Sequence, residues 1–313
     1  MAISLGLAGT GSAWIAADRS FSLSPLIGEL LFAASALLWA LTLVMRFPFT
    51  PRRWSHLLAD LDHPASGPFP AYVPVIALLL TAHYAPWLSP PMPVLLCLLW
   101  AAMLTVLCGY LLARWLGGEL NLADIHPGYA LPVIAGPYIA STALGTVGLR
   151  DASLAAFGAG TFCWIVIGTV IAGRLIVGGP LPAALTPTLA VTTTPPITAA
   201  LAWFTYMGGG VDSVQVLLLG IIALLVVVQP FFIPAYRRAP FGMSWWAMLF
   251  PAGALAGYSL RWDAALHSAT STWIAIAALT TATSALALLA SISLVRAARP
   301  ARPSAALIPE ETS

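Results

Sequence analysis

The stretch PFGMSWWAMLFPAGALAGYSL, residues 240–260, is apolar enough to cross a bilayer, but Pro251, Gly253 and Gly257 interrupt it. A proline in the middle of a helix removes a backbone hydrogen bond and bends the helix. In a bilayer, the freed carbonyl group must be satisfied by protein or by water in a cavity. The stretch therefore predicts a broken membrane helix beside an internal cavity.

The aromatic residue Phe250 directly precedes this proline. A bulky ring beside a break in a membrane helix is what a steric plug in a narrow pore requires. A core phenylalanine at a packing kink gives the same sequence, and aromatic side chains are usually buried in cores. From this stretch alone, the core residue is the simpler interpretation and the plug is the alternative.

The composition is that of a membrane protein with several spans. Of the 313 residues, 60% are hydrophobic and 8% are charged, and the mean hydropathy is +0.91. A soluble domain of average composition carries about 25% charged residues. All thirteen basic residues are arginine, which excludes a Schiff-base lysine and a Walker A phosphate loop. Cys97, Cys108 and Cys163 lie in apolar runs and are interpreted as small buried hydrophobic residues.

Hydropathy predicts an all-α polytopic membrane protein. Windows of about 20 residues give ten transmembrane helices, near residues 3–17, 24–46, 69–87, 92–116, 128–148, 152–177, 183–207, 213–235, 243–261 and 268–296. Together they form a single transmembrane domain over residues 1–297. Residues 298–313 are polar and contain prolines, so we expect a short disordered cytoplasmic tail there.

Most arginines fall on one side of these predicted spans. Only Arg19, Arg150 and Arg261 lie on the opposite side. The other ten lie in or beside the loops after even-numbered helices, or in the tail: Arg46, Arg52, Arg53, Arg114, Arg174, Arg237, Arg238, Arg296, Arg299 and Arg302. Because cytoplasmic loops are enriched in arginine, both termini are predicted to be cytoplasmic, and the expected location is the plasma (inner) membrane.

Internal prolines distinguish the odd-numbered helices from the even-numbered ones. The third helix contains Pro74, the fifth Pro132, the seventh Pro195 and the ninth Pro251, whereas the second, sixth and tenth have none inside. Five parallel helical hairpins explain this pattern. The broken odd helices would form a quasi-fivefold inner pore, where freed carbonyls meet water, and the even helices would lie outside. The alternative is that prolines, which are tolerated in membrane helices, alternate here by chance.

The odd-numbered spans contain hydroxyl groups but no acidic residues. Thr10, Thr142, Thr192 and Ser244 are candidate pore-lining groups, because hydroxyls can solvate an ion weakly. Hydroxyls are also common at tight helix contacts, and the sequence does not separate these two roles. Since cation pathways usually use carboxylate rings, the pattern disfavours a cation path and permits an anion path.

The sequence offers no catalytic or metal-binding constellation. Glu29, the one acidic residue inside a predicted span, is interpreted as an interfacial charge or a polar packing contact. His56 and Asp60 share a helix face but lack a third ligand, so a short interfacial helix is favoured over a metal site. His83 and His267 have no obvious partners. We therefore predict that the chain is not an enzyme, and we expect no cofactor, metal or nucleic-acid partner.

Several segments resemble, in the same order, the tellurite-resistance/dicarboxylate transporter family, which includes TehA-like proteins and the plant slow-type guard-cell anion channels. The segments are LGLAGTGSAW (5–14), DHPASGPFPAYVPVIALLL (62–80), HPGYALPVIAGPYIAS (126–141), FGAGTFCWIVI (157–167) and SWWAMLFPAGALAGY (244–258). The resemblance covers about residues 5 to 295. The chain departs from the family in lacking the arginine that often follows the His-Pro pair before the third helix.

The resemblance implies a homotrimer in which each protomer has one pore inside a ring of odd helices. It implies that Phe250 occludes this pore and that Pro74, Pro132 and Pro251 break the pore helices. A channel for small inorganic or organic anions is the leading expectation. The alternative is a proton-coupled carrier of a C4-dicarboxylate such as malate, or of an oxyanion such as tellurite or sulfite. A carrier should need fixed cationic groups at its substrate site, and no arginine lies clearly at mid-membrane in an odd helix, which favours the channel.

Overall fold

The computed structural model describes residues 1–46, 69–119, 121–129 and 131–298, and in these residues every regular element is helical. The longer helices are α1 (Ala2–Phe21), α2 (Leu26–Arg46), α3 (Tyr72–Tyr84), α4 (Met92–Leu116), α5 (Gly136–Thr146), α6 (Arg150–Val177), α7 (Thr194–Tyr206), α8 (Ser213–Val228), α9 (Leu249–Leu266) and α10 (Ala269–Ala297). The tail predicted beyond residue 298 and the pair His56 and Asp60 lie outside the described residues.

The even-numbered helices are long and face outward. Five helical segments are long and apolar enough to cross a membrane: Leu26–Met45, Met92–Leu116, Arg150–Val177, Ser213–Arg238 and Ala269–Ala297. They correspond to α2, α4, α6, α8 and α10 respectively, and they expose large apolar side chains along their lengths. Such faces are expected where a helix contacts lipid rather than water.

The odd-numbered helices are more deeply buried, and most of them are preceded by irregular turns. A 3-10 turn (Phe69–Ala71) leads into α3, a π-helical turn (Leu131–Ala135) into α5, and a 3-10 segment (Ala183–Thr193) into α7. The short helical turn Met243–Trp246 precedes α9. By contrast α1 runs unbroken to Phe21, four residues beyond its predicted end.

The four predicted kink prolines lie at these junctions. Pro74 and Pro251 are the third residues of α3 and α9, Pro195 is the second residue of α7, and Pro132 lies inside the π-helical turn. N–H groups in the first turn of a helix have no intrahelical partner, so a proline there costs no hydrogen bond. The ninth segment is therefore broken just before Leu249, and Pro251 lies in the first turn of the new helix instead of bending a continuous one.

Helices pack in pairs, and the odd-numbered helices also contact one another. Each odd helix packs on the even helix that follows it, from α1 on α2 to α9 on α10. Among the odd helices, α1 contacts α3, α3 contacts α5, α5 contacts α7 and α7 contacts α9. Helix α9 in turn contacts α1. The odd helices thus form a closed cycle of neighbours.

Buried serines join two of these helix pairs. Ser4 of α1 donates to the carbonyl oxygen of Ser35 on α2 at 2.8 Å, and Ser35 donates to the carbonyl oxygen of Ser4 at 2.8 Å. Ser153 of α6 likewise donates to the carbonyl oxygen of Ser141 on α5 at 2.8 Å. Each bond satisfies a buried hydroxyl and fixes an inner helix on its outer partner.

Glycine allows α1 and α9 to pack with their backbones in contact. A Cβ atom at Gly253 would lie 2.6 Å from the backbone nitrogen of Thr10, and one at Gly6 would lie 2.8 Å from Cδ2 of Leu249. Only a residue without a side chain permits this approach. The seam between the first and ninth helices is therefore set by small residues.

Candidate functional site

A cavity of about 230 Å³ lies among the odd-numbered helices. Every odd helix contributes to its wall, for example through Gly9 of α1, His83 of α3, Thr142 of α5, Thr198 of α7 and Phe250 of α9. One water molecule needs roughly 15 Å³ by this type of measure. The cavity therefore has room for several waters or for a small solvated ion.

Phe250 is part of the cavity wall and is 4% exposed. It is the second residue of α9, directly after the break in the ninth segment. Its ring lies over Gly9, where a Cβ atom would stand 2.8 Å from Cδ2 of the ring. The absence of a side chain at Gly9 thus provides the space that the ring fills.

The hydroxyl groups on the cavity wall all donate to backbone carbonyl oxygens. Ser12, Thr142, Thr146 and Thr198 line the cavity, and each donates to the carbonyl four residues earlier in its helix, at 2.9–3.1 Å. A hydroxyl has one proton to donate. These groups therefore present lone pairs to the cavity and offer little attraction to an anion.

Of the four predicted pore-lining hydroxyls, Thr142 belongs to the cavity wall. Thr10 is fully buried and donates to the carbonyl oxygen of Gly6 at 3.0 Å. Thr192 lies in the 3-10 segment before α7 and donates to Leu189 at 2.7 Å. Ser244 lies in the short turn before α9. Thr10, Thr192 and Ser244 are not among the residues that line this cavity.

Two of the three arginines predicted to lie on the side opposite the cytoplasm line the cavity. They are Arg19, in the last turn of α1, and Arg261, inside α9. No acidic residue is part of the wall formed by the described residues. Hydropathy assigns a charge near the end of a span to the adjoining loop, so no local pattern indicates that these guanidinium groups face inward.

His83 has partners that the sequence did not reveal. Its Nε2 lies 3.1 Å from Oε2 of Glu29, and its ring stacks on Phe32 with centroids 3.6 Å apart and planes 3° apart. His83 and Phe32 both line the cavity. Glu29 is therefore a polar packing contact between α2 and α3, in agreement with one of its two sequence interpretations.

Within the described ranges, no group of three or more His, Cys, Asp or Glu residues could hold a metal ion. Cys97, Cys108 and Cys163 are buried free thiols, which agrees with their interpretation as small hydrophobic residues. The polar features of the cavity are therefore its hydroxyls, His83 and the two arginines.

The apolar outer helices and the inner cavity define a polytopic helical membrane protein. The family model described as "SLAC1: Voltage-dependent anion channel" matches residues 1–294. The chain therefore belongs to the SLAC1 family of anion channels and transporters, and this confirms the resemblance to TehA-like proteins and slow-type anion channels.

Two curated relatives agree with this assignment. The chain is 23% identical to "Tellurite resistance protein TehA homolog" of Haemophilus influenzae over 218 residues, which are 70% of this chain and 66% of that protein. It is 26% identical to "S-type anion channel SLAH4" of Arabidopsis thaliana over 232 residues, 72% of this chain and 60% of that protein. The chain thus spans about three fifths to two thirds of the length of these relatives.

Proposed function

We propose that the protein is an anion channel in which small anions pass through the cavity among the odd helices and Phe250 is the gate. The observation that carries this proposal is the composition of the cavity wall. All five odd helices contribute to it, Phe250 lies in it, and its charged members are arginines without a carboxylate among the described lining residues. Such a wall repels cations and admits anions.

The proposed membrane arrangement has ten transmembrane helices in five hairpins, with the odd helices around a quasi-fivefold pore. The closed cycle of contacts from α1 through α9 supports it, as does the outward position of the five long apolar segments. The arginine distribution supports cytoplasmic termini in the plasma (inner) membrane. The homotrimer rests on the family resemblance.

Phe250 would close the pore by size and by excluding water. A phenylalanine ring offers no hydrogen bond, and an apolar constriction gates an ion path by dewetting. Gly9 gives the ring its closed position. Because the wall hydroxyls donate to backbone carbonyls, an anion would be held weakly between the gate and the arginines. Selectivity would then follow the cost of dehydrating the anion.

A second candidate is a proton-coupled carrier of a C4-dicarboxylate or an oxyanion. Arg19 and Arg261 favour it, because they supply the fixed cationic groups that a carboxylate or oxyanion site needs. The two functions differ in their dependence on a proton gradient. A channel moves anions passively, whereas a carrier of this type is driven by the gradient.

The test is anion flux into liposomes that contain the wild-type protein, Phe250→Ala or Phe231→Ala. Phe231 is 78% exposed on the outer surface and is the matched control. We expect little chloride or nitrate flux in wild type and in Phe231→Ala, and passive flux in Phe250→Ala. Silence of all three proteins to inorganic anions, together with malate uptake by wild type under a proton gradient, would replace the channel with the carrier.

A further inference from the structure

Arg19 and Arg261 face one cavity from two helices that are packed together. Arg261 follows Phe250 by eleven residues in α9, which corresponds to about 16 Å along the helix axis. Arg19 lies at the same end of α1, in its last turn. The arginines and the gate residue therefore lie at opposite ends of the cavity. A Cβ atom at Gly257 of α9 would lie 3.9 Å from Cα of Ala13 on α1, so Arg261, four residues after Gly257, and Arg19, six residues after Ala13, lie at a similar height on the two helices.

Neither arginine has a hydrogen bond or an ion pair within the described residues, unlike Arg114, which pairs with Glu119. The nearby carboxylate of Asp263 is already used. It accepts from the hydroxyls of Ser271 at 2.9 Å and Thr272 at 2.8 Å, at the start of α10.

The other carboxylate near the cavity is also committed. Glu29 contacts His83 at 3.1 Å and is not itself part of the cavity wall. Neither of these two carboxylates forms an ion pair with Arg19 or Arg261.

Two cations at the same end of a cavity repel each other, and an anion bound between them relieves that repulsion. A guanidinium group presents five N–H donors in a planar fork, which matches anions that carry several oxygen atoms. Two such forks supply two charges. The matching ligand is an anion with two negative charges and oxygen atoms that can reach both forks.

We propose that Arg19 and Arg261 form a binding site for a divalent oxyanion at the end of the cavity opposite Phe250. This site lies on the proposed anion pathway, and its physiological role rests on that proposed function. In the predicted orientation, this end of the cavity faces the outside of the cell. A bound divalent anion there would occupy the path and compete with monovalent anions for entry.

The test is equilibrium binding of radiolabelled sulfate to the purified full-length protein in detergent. The proteins are wild type, Arg19→Gln, Arg261→Gln and the control Arg150→Gln. Arg150 is an exposed arginine on the same predicted side, and it stacks over Tyr206 instead of lining the cavity. We expect saturable sulfate binding in wild type and in Arg150→Gln. In Arg19→Gln and Arg261→Gln, the affinity for sulfate should be at least about tenfold lower than in wild type.

Melting temperatures measured without sulfate distinguish a variant that has lost the binding site from one that no longer folds. Removal of one of two repelling charges should leave the melting temperature of Arg19→Gln and Arg261→Gln equal to or above that of wild type. Equal sulfate binding in wild type and both variants, or no saturable binding in wild type, would overturn the site.

The binding assay tests the arginine site and the flux assay tests the channel, so either proposal can be overturned without the other. Passive flux in Phe250→Ala without sulfate binding by wild type would overturn the arginine site and leave the channel in place. Sulfate binding that depends on both arginines, with no flux in Phe250→Ala, would retain the site and overturn the channel.

Discussion

The ring of Phe250 rests on Gly9, and a Cβ atom at Gly9 would lie 2.8 Å from Cδ2 and 3.3 Å from Cε2 of that ring. The nearest obstacle to a side chain at Gly9 is therefore the proposed gate itself. The position of the ring depends on a glycine that lies 241 residues earlier in the chain.

Gly9→Ala is expected to displace the Phe250 ring and to raise passive anion flux above that of wild type. The contact of 2.8 Å with Cδ2 forces the ring to move, because the added methyl group is fixed to the α1 backbone. Liposome flux measures the effect. In the double variant Gly9→Ala, Phe250→Ala, the flux should equal that of Phe250→Ala, since the ring on which the methyl acts is gone.

The matched control is Gly158→Ala on α6, where an added Cβ meets no atom within 4 Å. This variant should conduct like wild type. Equal flux in Gly9→Ala and wild type would show that the ring position does not limit passage.

Gly253→Ala is expected to destabilise the protein by roughly 1–3 kcal/mol, as overpacking of a well-packed core does. The added methyl would stand 2.6 Å from the backbone nitrogen of Thr10 and 2.7 Å from the carbonyl carbon of Gly9. Backbone atoms cannot rotate away, so α1 and α9 must separate. Thermal unfolding in detergent, compared with Gly220→Ala on α8, measures the loss.

At Gly220 an added Cβ meets nothing within 4 Å, and alanine favours a helix by about 1 kcal/mol over glycine. The control should therefore be as stable as wild type or slightly more stable. A melting temperature for Gly253→Ala that matches this control would contradict the tight α1–α9 seam.

His126, which precedes the fifth membrane segment, is expected to make the protein less stable in acid. Burial lowers the pKa of its imidazole to about 4, and its Nδ1 accepts a hydrogen bond from the Gly128 N–H at 3.1 Å, which requires the neutral ring. The unfolded chain, with a histidine pKa of about 6.5, binds more protons below that pH. Stability is therefore complete above about pH 6.5 and falls towards pH 4, by up to roughly 3 kcal/mol.

The measurement is the melting temperature of wild type and His126→Gln between pH 7 and pH 4. Carboxyl groups titrate in both proteins, so the difference between the two curves isolates the histidine. As the pH falls below 6.5, the melting temperature of wild type should fall more steeply than that of His126→Gln. Parallel curves would show that His126 binds a proton equally well in the folded and unfolded protein.

The helices could be predicted well from the sequence because lipid imposes a simple rule. A segment that crosses a bilayer must be apolar and about 20 residues long, and all ten predicted spans correspond to helical segments in the structure. The end of α1 was placed too early because Asp18 and Arg19 resemble a loop. Hydropathy cannot detect a cavity that solvates a charge within a helix.

The cavity wall was harder to predict because the inner helices have neighbours on most sides. Thr10 and Thr142 have the same chemistry, yet Thr10 packs inside the seam and Thr142 faces the cavity. A helix that is apolar on all sides has no polar face, so its sequence does not indicate which side points to the cavity. Phe250 was found through its position beside Pro251, whereas Arg19 and Arg261 had no local pattern to mark them.

The pairing of each inner helix with one outer helix divides two tasks between separate stretches of chain. The outer helices need only match the thickness and apolar character of the surrounding lipid, while the inner helices carry most of the residues that line the cavity. Substitutions that adapt the protein to a different membrane can therefore accumulate in one layer without altering the other. The serine pairs Ser4–Ser35 and Ser141–Ser153 are exceptions. Each pair joins an inner helix to an outer one, so a substitution in either helix alters the contact between them.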